Sequence, residues 1–141
     1  MTKFITAKLV DGVDNAALAR GFSWLLNGNN SSIVYIYTPS KRIAQDMATD
    51  DVPSAAVFKS LLKKNSATFG QTTINLCFGT GAGACGSLPA QNFTGNILLC
   101  YSPPLDVEWL LKKAPHASFC FLPWVLSEAN AWTTAHSPIV I

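Results

Sequence analysis

Apolar runs and amphipathic helical patterns alternate along this chain. Runs rich in apolar, β-branched or aromatic residues predict strands at 4–10, 32–37, 72–78, 96–101 and 117–122, and a terminal strand at 138–141. Helical spacing and end signals predict helices at 15–26, 53–64, 105–113 and 127–135, with a short helical turn at 41–47. This order predicts one α/β domain over residues 1–141. We expect a Rossmann-like, three-layer α/β/α sandwich with a mostly parallel sheet of five or six strands.

The ends of the helices and one gap between strands refine this pattern. Asp14 is the predicted N-cap of the first helix and Ser127 that of the last, because a side-chain oxygen there accepts from first-turn amides. No clear helix pattern lies between Phe78 and Asn96. We therefore expect an extended crossover or a local antiparallel pair in that segment.

A long charge-free segment contains the most glycine-rich loop of the chain. Residues 65–105 include no Asp, Glu, Lys, Arg or His, and the loop spans Gly79 to Gly95. Charge is omitted where a segment is buried, covered by a partner, or closed over an uncharged or backbone-bound ligand. Loops that leave the carboxyl ends of parallel strands are the usual ligand sites of such sheets. The sequence therefore predicts a site at this loop.

The loop includes a G-x-G-x-x-G motif formed by Gly81, Gly83 and Gly86. In dinucleotide-binding proteins a helix opens at these glycines, and its amides hold the pyrophosphate. Residues 87–95 have a low propensity to form a helix, so a structural loop is favoured over a dinucleotide site. The amides of Gly79 and of the motif glycines still suit another anion, bound in a backbone nest.

Other predicted strand exits supply candidate binding residues at the same edge of the sheet. Lys41 and Arg42 follow one strand and are the nearby cations, whereas Tyr101 and Trp124 follow two others and are candidate walls. Together they suit a small anionic or nucleotide-like ligand. The alternative is a solvated Lys41–Arg42 pair and a core tryptophan.

Cys85 lies between glycines after a buried strand, in a context that resembles a nucleophile elbow. Nucleophilic catalysis would need His116 or His136 as the base, oriented by Asp106. The alternative is that both histidines are surface residues without a catalytic role. The other three cysteines, at 77, 100 and 120, fall in predicted core strands and are expected to be reduced thiols.

Composition narrows the class of protein and its partners. Hydrophobic residues make up 49% and charged residues 13%, with a formal net charge of +2. Scattered cations without a basic stripe argue against a nucleic-acid partner, and the absence of a signal peptide or membrane span predicts a soluble, cytoplasmic protein. No residues have the spacing of a metal site. Low charge in the second half predicts a homodimer. Candidate contact residues are Leu88, Phe93, Trp109 and Trp132.

These observations do not determine a function or a cofactor. The best hypothesis is binding of a small molecule or anion at the carboxyl edge of the sheet. The alternatives are a non-enzymatic, self-associating interaction protein and a Cys85-dependent hydrolase or transferase.

Overall fold

The computed structural model describes residues 3–6, 14–27, 32–40, 42, 43, 45, 55–79, 85–86 and 89–141. Helices in these ranges are α1 (Asn15–Leu26), α2 (Ala55–Lys64), α3 (Pro104–Lys113) and α4 (Leu126–His136). The strands are β1 (Lys3–Ile5), β2 (Ile33–Thr38), β3 (Ser66–Phe69), β4 (Thr72–Phe78), β5 (Cys85–Gly86), β6 (Asn96–Cys100), β7 (Ser118–Leu122) and β8 (Ile139–Val140). The predicted α/β class is confirmed. Of the predicted helical turn at 41–47, residues 42, 43 and 45 are described, and they are helical.

The strands form one sheet in the spatial order β3-β4-β2-β6-β7-β1-β8, with β5 also paired to β4. The pairs β4–β2, β2–β6, β6–β7, β7–β1 and β1–β8 are parallel. Strands β3 and β5 both pair antiparallel with β4. The sheet is therefore mostly parallel, as predicted, and the expected antiparallel pair between Phe78 and Asn96 is the β4–β5 pair.

The predicted count of five or six strands is wrong. The described residues place seven strands along the sheet and β5 beside β4. The pattern misses β3 because this four-residue edge strand has one buried position, Ala67, while Thr68 and Phe69 are exposed. Gly70, whose φ of 62° lies in the left-handed region, turns the chain directly from β3 into β4.

Buried side chains of the sheet form two clusters, one on each face of the central strands. The first joins α1 and α2 to Val34 and Ile36 of β2. The second joins α3 and α4 to Tyr35 and Tyr37 of the same strand. Successive side chains of a strand point to opposite faces, so β2 is buried on both. All five residues of β6 are buried as well. This double burial explains why much of the charge-free segment omits charge.

The two predicted helix caps have different outcomes. Asp14 is the N-cap of α1, as predicted, and its Oδ1 accepts from the Ala17 amide at 3.1 Å. The prediction of Ser127 as a cap is wrong, because α4 begins at Leu126 with Val125 in the N-cap position. Valine offers no side-chain acceptor, and Glu128 Oε1 instead accepts from the Val125 amide at 3.2 Å.

Helix α1 is held against β6 by a polar and an apolar contact. Asn96 is buried, and its Nδ2 donates to the carbonyls of Trp24 and Leu25 at 3.3 and 3.4 Å. The end of a helix leaves its last carbonyls without intrahelical partners; Asn96 supplies a donor to the Leu25 carbonyl and a second donor to that of Trp24, which also accepts from the Asn27 amide. A Cβ on Gly21 would lie 2.9 Å from Leu98 Cδ1, so glycine permits this close approach of helix and sheet.

Candidate functional site

The connections that leave β2 and β6 diverge at the carboxyl edge of the sheet. From β2 the chain continues through α2 to β4, on one side of the pair, whereas β6 leads through α3 to β7, on the other. Because β2 and β6 are parallel neighbours whose connections run in opposite directions, this topology predicts a crevice between their exit loops. This crevice is the place where a ligand site is expected in a sheet of this kind.

Buried hydroxyl groups lie at the ends of both strands that flank the crevice. Thr38 is the last residue of β2, and its Oγ1 donates to the Ser40 carbonyl at 3.0 Å. Ser102 follows β6, and its Oγ donates to the Cys100 carbonyl at 3.4 Å. Both side chains are buried and shape the turns on the two sides of the crevice.

Tyr101, which directly follows β6, has an unusual backbone conformation. Its φ of 56° lies in the left-handed region, which bulky side chains rarely adopt. The ring is 4% exposed and packs edge-on against Trp124, with 5.2 Å between ring centroids. Its hydroxyl oxygen accepts from the Asp14 amide at 3.2 Å. Burial raises the pKa of this tyrosine, so the phenol is neutral at physiological pH.

A second buried tyrosine fixes the start of the glycine-rich loop. Tyr37 donates its hydroxyl to the Gly79 carbonyl at 2.7 Å, and Gly79 has a left-handed φ of 79°. Burial and then the nearby Asp106 carboxylate raise the pKa of Tyr37. The contact sets the direction in which the loop leaves β4, next to the crevice.

Gly86, the last glycine of the motif, lies in a short strand rather than at the start of a helix. Cys85 and Gly86 form β5, which pairs with Phe78 and Cys77 of β4. Residues 89–95 are turn and irregular structure. The helix on which dinucleotide binding depends is therefore not present in residues 85, 86 and 89–95. The predicted ligands Gly81 and Gly83 lie outside the described residues.

The predicted cationic and aromatic residues lie at several places along this edge. Arg42 is exposed shortly after β2, and Lys41 lies outside the described residues. Trp124 follows β7 and is 37% exposed, while it contacts the buried Tyr101. The structure thus brings together Tyr101 and Trp124, and it places Gly79 beside β2 through Tyr37.

The groups proposed for nucleophilic catalysis lie at opposite edges of the sheet. Cys85 pairs with Phe78 at the carboxyl end of β4. His116 precedes β7 and is exposed at the amino edge. His136 ends α4 near Lys3, the first residue of β1, and burial and then the charge of Lys3 lower the pKa of His136. A strand of five residues spans about 17 Å, so this geometry brings neither histidine to Cys85.

The other cysteines behave as core residues. Cys77, Cys100 and Cys120 are free and buried. Burial raises the pKa of Cys77 and of Cys120 to about 12 and that of Cys100 well above its usual value. These thiols are protonated at physiological pH and are poor nucleophiles.

Carboxylates lie at the N-termini of three helices at this edge, whereas the first turn of α2 has no acidic residue. Asp14 accepts at the start of α1 and Glu128 at the start of α4, while Asp106 lies in the first turn of α3. A carboxylate at the positive end of a helix dipole is stabilising. An anionic ligand beside α1, α3 or α4 would therefore depend on loop amides and on Lys41 or Arg42 rather than on the dipoles of those three helices.

Several polar residues of the crevice are not candidates from the sequence. The sequence predicts only strand or turn structure for Tyr37, Thr38 and Ser102. Nothing else in the sequence indicates a role for them beyond their position at or just after the end of a predicted strand. Two buried oxygens near this edge, Thr6 Oγ1 after β1 and Asn15 Oδ1 in α1, form no hydrogen bond in the part of the chain that the structure describes. Each is available to a polar group placed there.

The described residues contain neither a membrane-spanning helix nor a metal-binding cluster. None of the helices there has both the length and the apolarity needed to cross a lipid bilayer. Those residues also contain no group of three or more His, Cys, Asp or Glu side chains arranged to hold a metal ion.

No protein-family model matches the sequence, and neither a curated protein nor a solved structure matches the chain.

Proposed function

We propose that this protein binds a small molecule in the crevice between β2 and β6, within a three-layer, Rossmann-like α/β/α architecture. The left-handed Tyr101 carries this proposal. A non-glycine residue in that conformation costs about 1–2 kcal/mol, and such strain concentrates at functional sites. The strained backbone lies where the two strand connections diverge, and it fixes an aromatic wall between Asp14 and Trp124.

The ligand class follows from the groups around the crevice. Loop amides at Gly79, Gly81, Gly83 and Gly86 suit an anionic group, to which Lys41 or Arg42 adds a charge-assisted bond. Trp124, which is 37% exposed and packs against Tyr101, offers apolar surface to the body of the ligand. We therefore expect a small anionic or nucleotide-like molecule. Three free, buried cysteines support a reducing compartment, such as the cytoplasm.

A thermal-shift screen of nucleotides, phosphosugars and carboxylates tests this proposal. At least one compound is expected to raise the melting temperature of the wild-type protein. Gly81→Ala and Gly83→Ala should abolish that rise, because a Cβ blocks close approach of the ligand to the backbone. Lys41→Ala or Arg42→Ala should weaken binding by about 1–3 kcal/mol.

Matched variants separate the site from general effects on stability. Gly70→Ala also adds a Cβ at a left-handed turn, but in open space and on a different hairpin, so it should keep the ligand response. Lys63→Ala removes an exposed cation from the last turn of α2 and should also respond like wild type. If no compound shifts the melting temperature, or if the Gly81 and Gly83 variants respond as Gly70→Ala does, the proposal fails.

One observation favours the alternative function of self-association. Strand β8 pairs with β1 on one side, and its Ile139 and Val140 are 54% and 64% exposed. An exposed apolar edge strand is a template for pairing with another chain. The contacts expected from the sequence are less available, because Trp132 is buried and Phe93 packs edge-on against Tyr35.

Light scattering of the wild type and an edge variant tests this alternative. If β8 mediates a homodimer, the wild type should have the mass of two chains at tens of micromolar, and Val140→Lys should shift it towards one chain. Charged side chains on an edge strand oppose such pairing. Thr134→Lys, at an exposed position of α4, is the charge-matched control. A wild-type protein that is monomeric under these conditions argues against the homodimer.

A further inference from the structure

A cleft of about 140 Å³ lies between α3 and α4 on the face of the sheet. Val107 of α3, Phe121 of β7 and Trp132 of α4 are its buried lining residues. Its volume is close to the roughly 150 Å³ of an apolar protein cavity that binds benzene. The cleft therefore has room for one ring or a short chain. It shares no lining residue with the crevice between β2 and β6.

Two nearly buried aromatic rings, those of Phe121 and Trp132, form part of the floor of this cleft. The rings of Phe121 and Trp132 lie 5.2 Å apart, and His136 packs on Trp132 at 4.3 Å. The indole Nε1 already donates to the Phe4 carbonyl at 3.0 Å. An occupant of the cleft would therefore meet the exposed part of the Trp132 ring and not a free indole N–H. Tryptophan is the side chain whose π surface attracts cations most strongly.

Small residues of α4 leave the cleft open to solvent. Ala131 and Ala135 lie one helical turn apart, line the cleft and are exposed. A longer side chain at either position would extend into the space above Trp132, because residues four apart share one side of a helix. The cleft is thus accessible from solvent without a rearrangement of the core.

The charged groups that line the cleft are carboxylates. Glu128 is half-buried, and its Oε1 accepts from the amides of Trp124 and Val125. Glu108 is exposed and forms no ion pair among the described residues. Burial and then Lys3 lower the pKa of His136, so this ring is neutral at pH 7 and adds no positive charge.

We propose that this cleft is a binding site for a small organic ammonium ion. The apolar part of the ion would pack against Phe121 and Trp132, and the ammonium group would lie near Glu108 and Glu128. Aromatic rings and carboxylates at one site match the two halves of such a cation. A carboxylate or phosphate would meet two like charges instead. The proposal is independent of the function proposed for the β2–β6 crevice.

Benzylammonium is a suitable probe because it combines one ring with one ammonium group. Its binding can be followed by NMR through the four indole N–H signals of the wild-type protein, with the Trp132 signal assigned from Trp132→Phe. We expect the Trp132 signal to move in a saturable manner at concentrations up to about 20 mM. Benzyl alcohol and benzoate, which have the same ring, should bind at least about fivefold more weakly.

Two variants test the charged and the apolar half of the cleft separately. Glu108→Gln should weaken binding about two- to fivefold without a loss of stability, since Glu108 makes no structural contact of the kind that Glu128 makes. Ala131→Leu should abolish binding by filling the cleft, whereas Thr134→Leu, outside the cleft on the same helix, should leave binding unchanged.

The proposal is overturned by any of three results. The first is no movement of the Trp132 signal up to about 20 mM benzylammonium. The second is binding of benzyl alcohol as tight as that of benzylammonium, which would leave a merely apolar cleft. The third is binding by Ala131→Leu that equals wild type. If Ala131→Leu fails to fold, Glu108→Gln and the comparison of the three probes still decide the result.

Discussion

Asn96→Asp is expected to destabilise the protein by about 2–4 kcal/mol at pH 7. The wild-type amide donates to the carbonyls of Trp24 and Leu25 at the end of α1, and the side chain is buried. A carboxylate has nearly the same shape but cannot donate, so its negative charge would face two carbonyl oxygens. The negative end of the helix dipole adds to this repulsion.

The loss of stability should depend on pH. The same surroundings raise the pKa of the introduced carboxyl in the folded state above its value of about 3.9 in the unfolded chain. The folded state therefore binds the proton more tightly. The deficit relative to wild type should be smallest below about pH 4 and grow as pH rises through the folded-state pKa.

Urea unfolding of both proteins at pH 4 and pH 7 measures this difference. Asn92→Asp introduces the same charge at an exposed turn position and should change the free energy of unfolding by less than about 0.5 kcal/mol. Equal deficits for the Asn96 variant at the two pH values would contradict the proposed repulsion. A deficit no larger than that of Asn92→Asp would show that the Asn96 bonds do not hold α1.

At position 101 we expect glycine to destabilise the protein less than alanine does, which is the reverse of the usual order. Tyr101→Ala is expected to cost about 3–5 kcal/mol, because it removes a buried aromatic ring beside Trp124. Tyr101→Gly removes the same ring but also relieves the left-handed backbone at φ 56°. Glycine should therefore be the less damaging replacement, by about 1–2 kcal/mol.

Tyr35 provides the matched control for this comparison. It is also a buried tyrosine, but it lies in β2, an extended strand. There glycine should be worse than alanine by about 0.5–1 kcal/mol. Chemical unfolding of the four variants measures both differences. If glycine is no better than alanine at position 101, the backbone carries no strain and the main support for the crevice site is lost.

Local patterns predict most elements of this fold, and the errors have local causes. The helix at 15–26 and its Asp14 cap agree with α1, because capping and apolar spacing act within a few residues. Strand β3 is not predicted, because this edge strand buries few side chains and therefore has no run of apolar residues. The predicted N-cap of α4 is two residues too late. Glu128 bonds back to the Val125 amide, and the prediction of a serine cap does not consider this kind of bond.

The candidate site is less predictable because its geometry depends on long-range contacts. Position at a strand exit is enough to select Tyr101 and Trp124 from the sequence. The contact of Tyr37 with Gly79 joins residues 42 positions apart, and no local pattern indicates it. The left-handed conformation of Tyr101 cannot be predicted from the sequence either, because tyrosine usually adopts an extended or right-handed helical backbone.

The position of β1 in the sheet has a consequence for how the chain folds. β1 lies between β7 and β8, and the Trp132 indole bonds to Phe4 across 128 positions of sequence. Both strands that pair with β1 therefore lie far from it along the sequence. Closing so long a loop is entropically costly before any contact compensates for it. The folding rate should accordingly be limited by the insertion of β1, as in other topologies of high contact order.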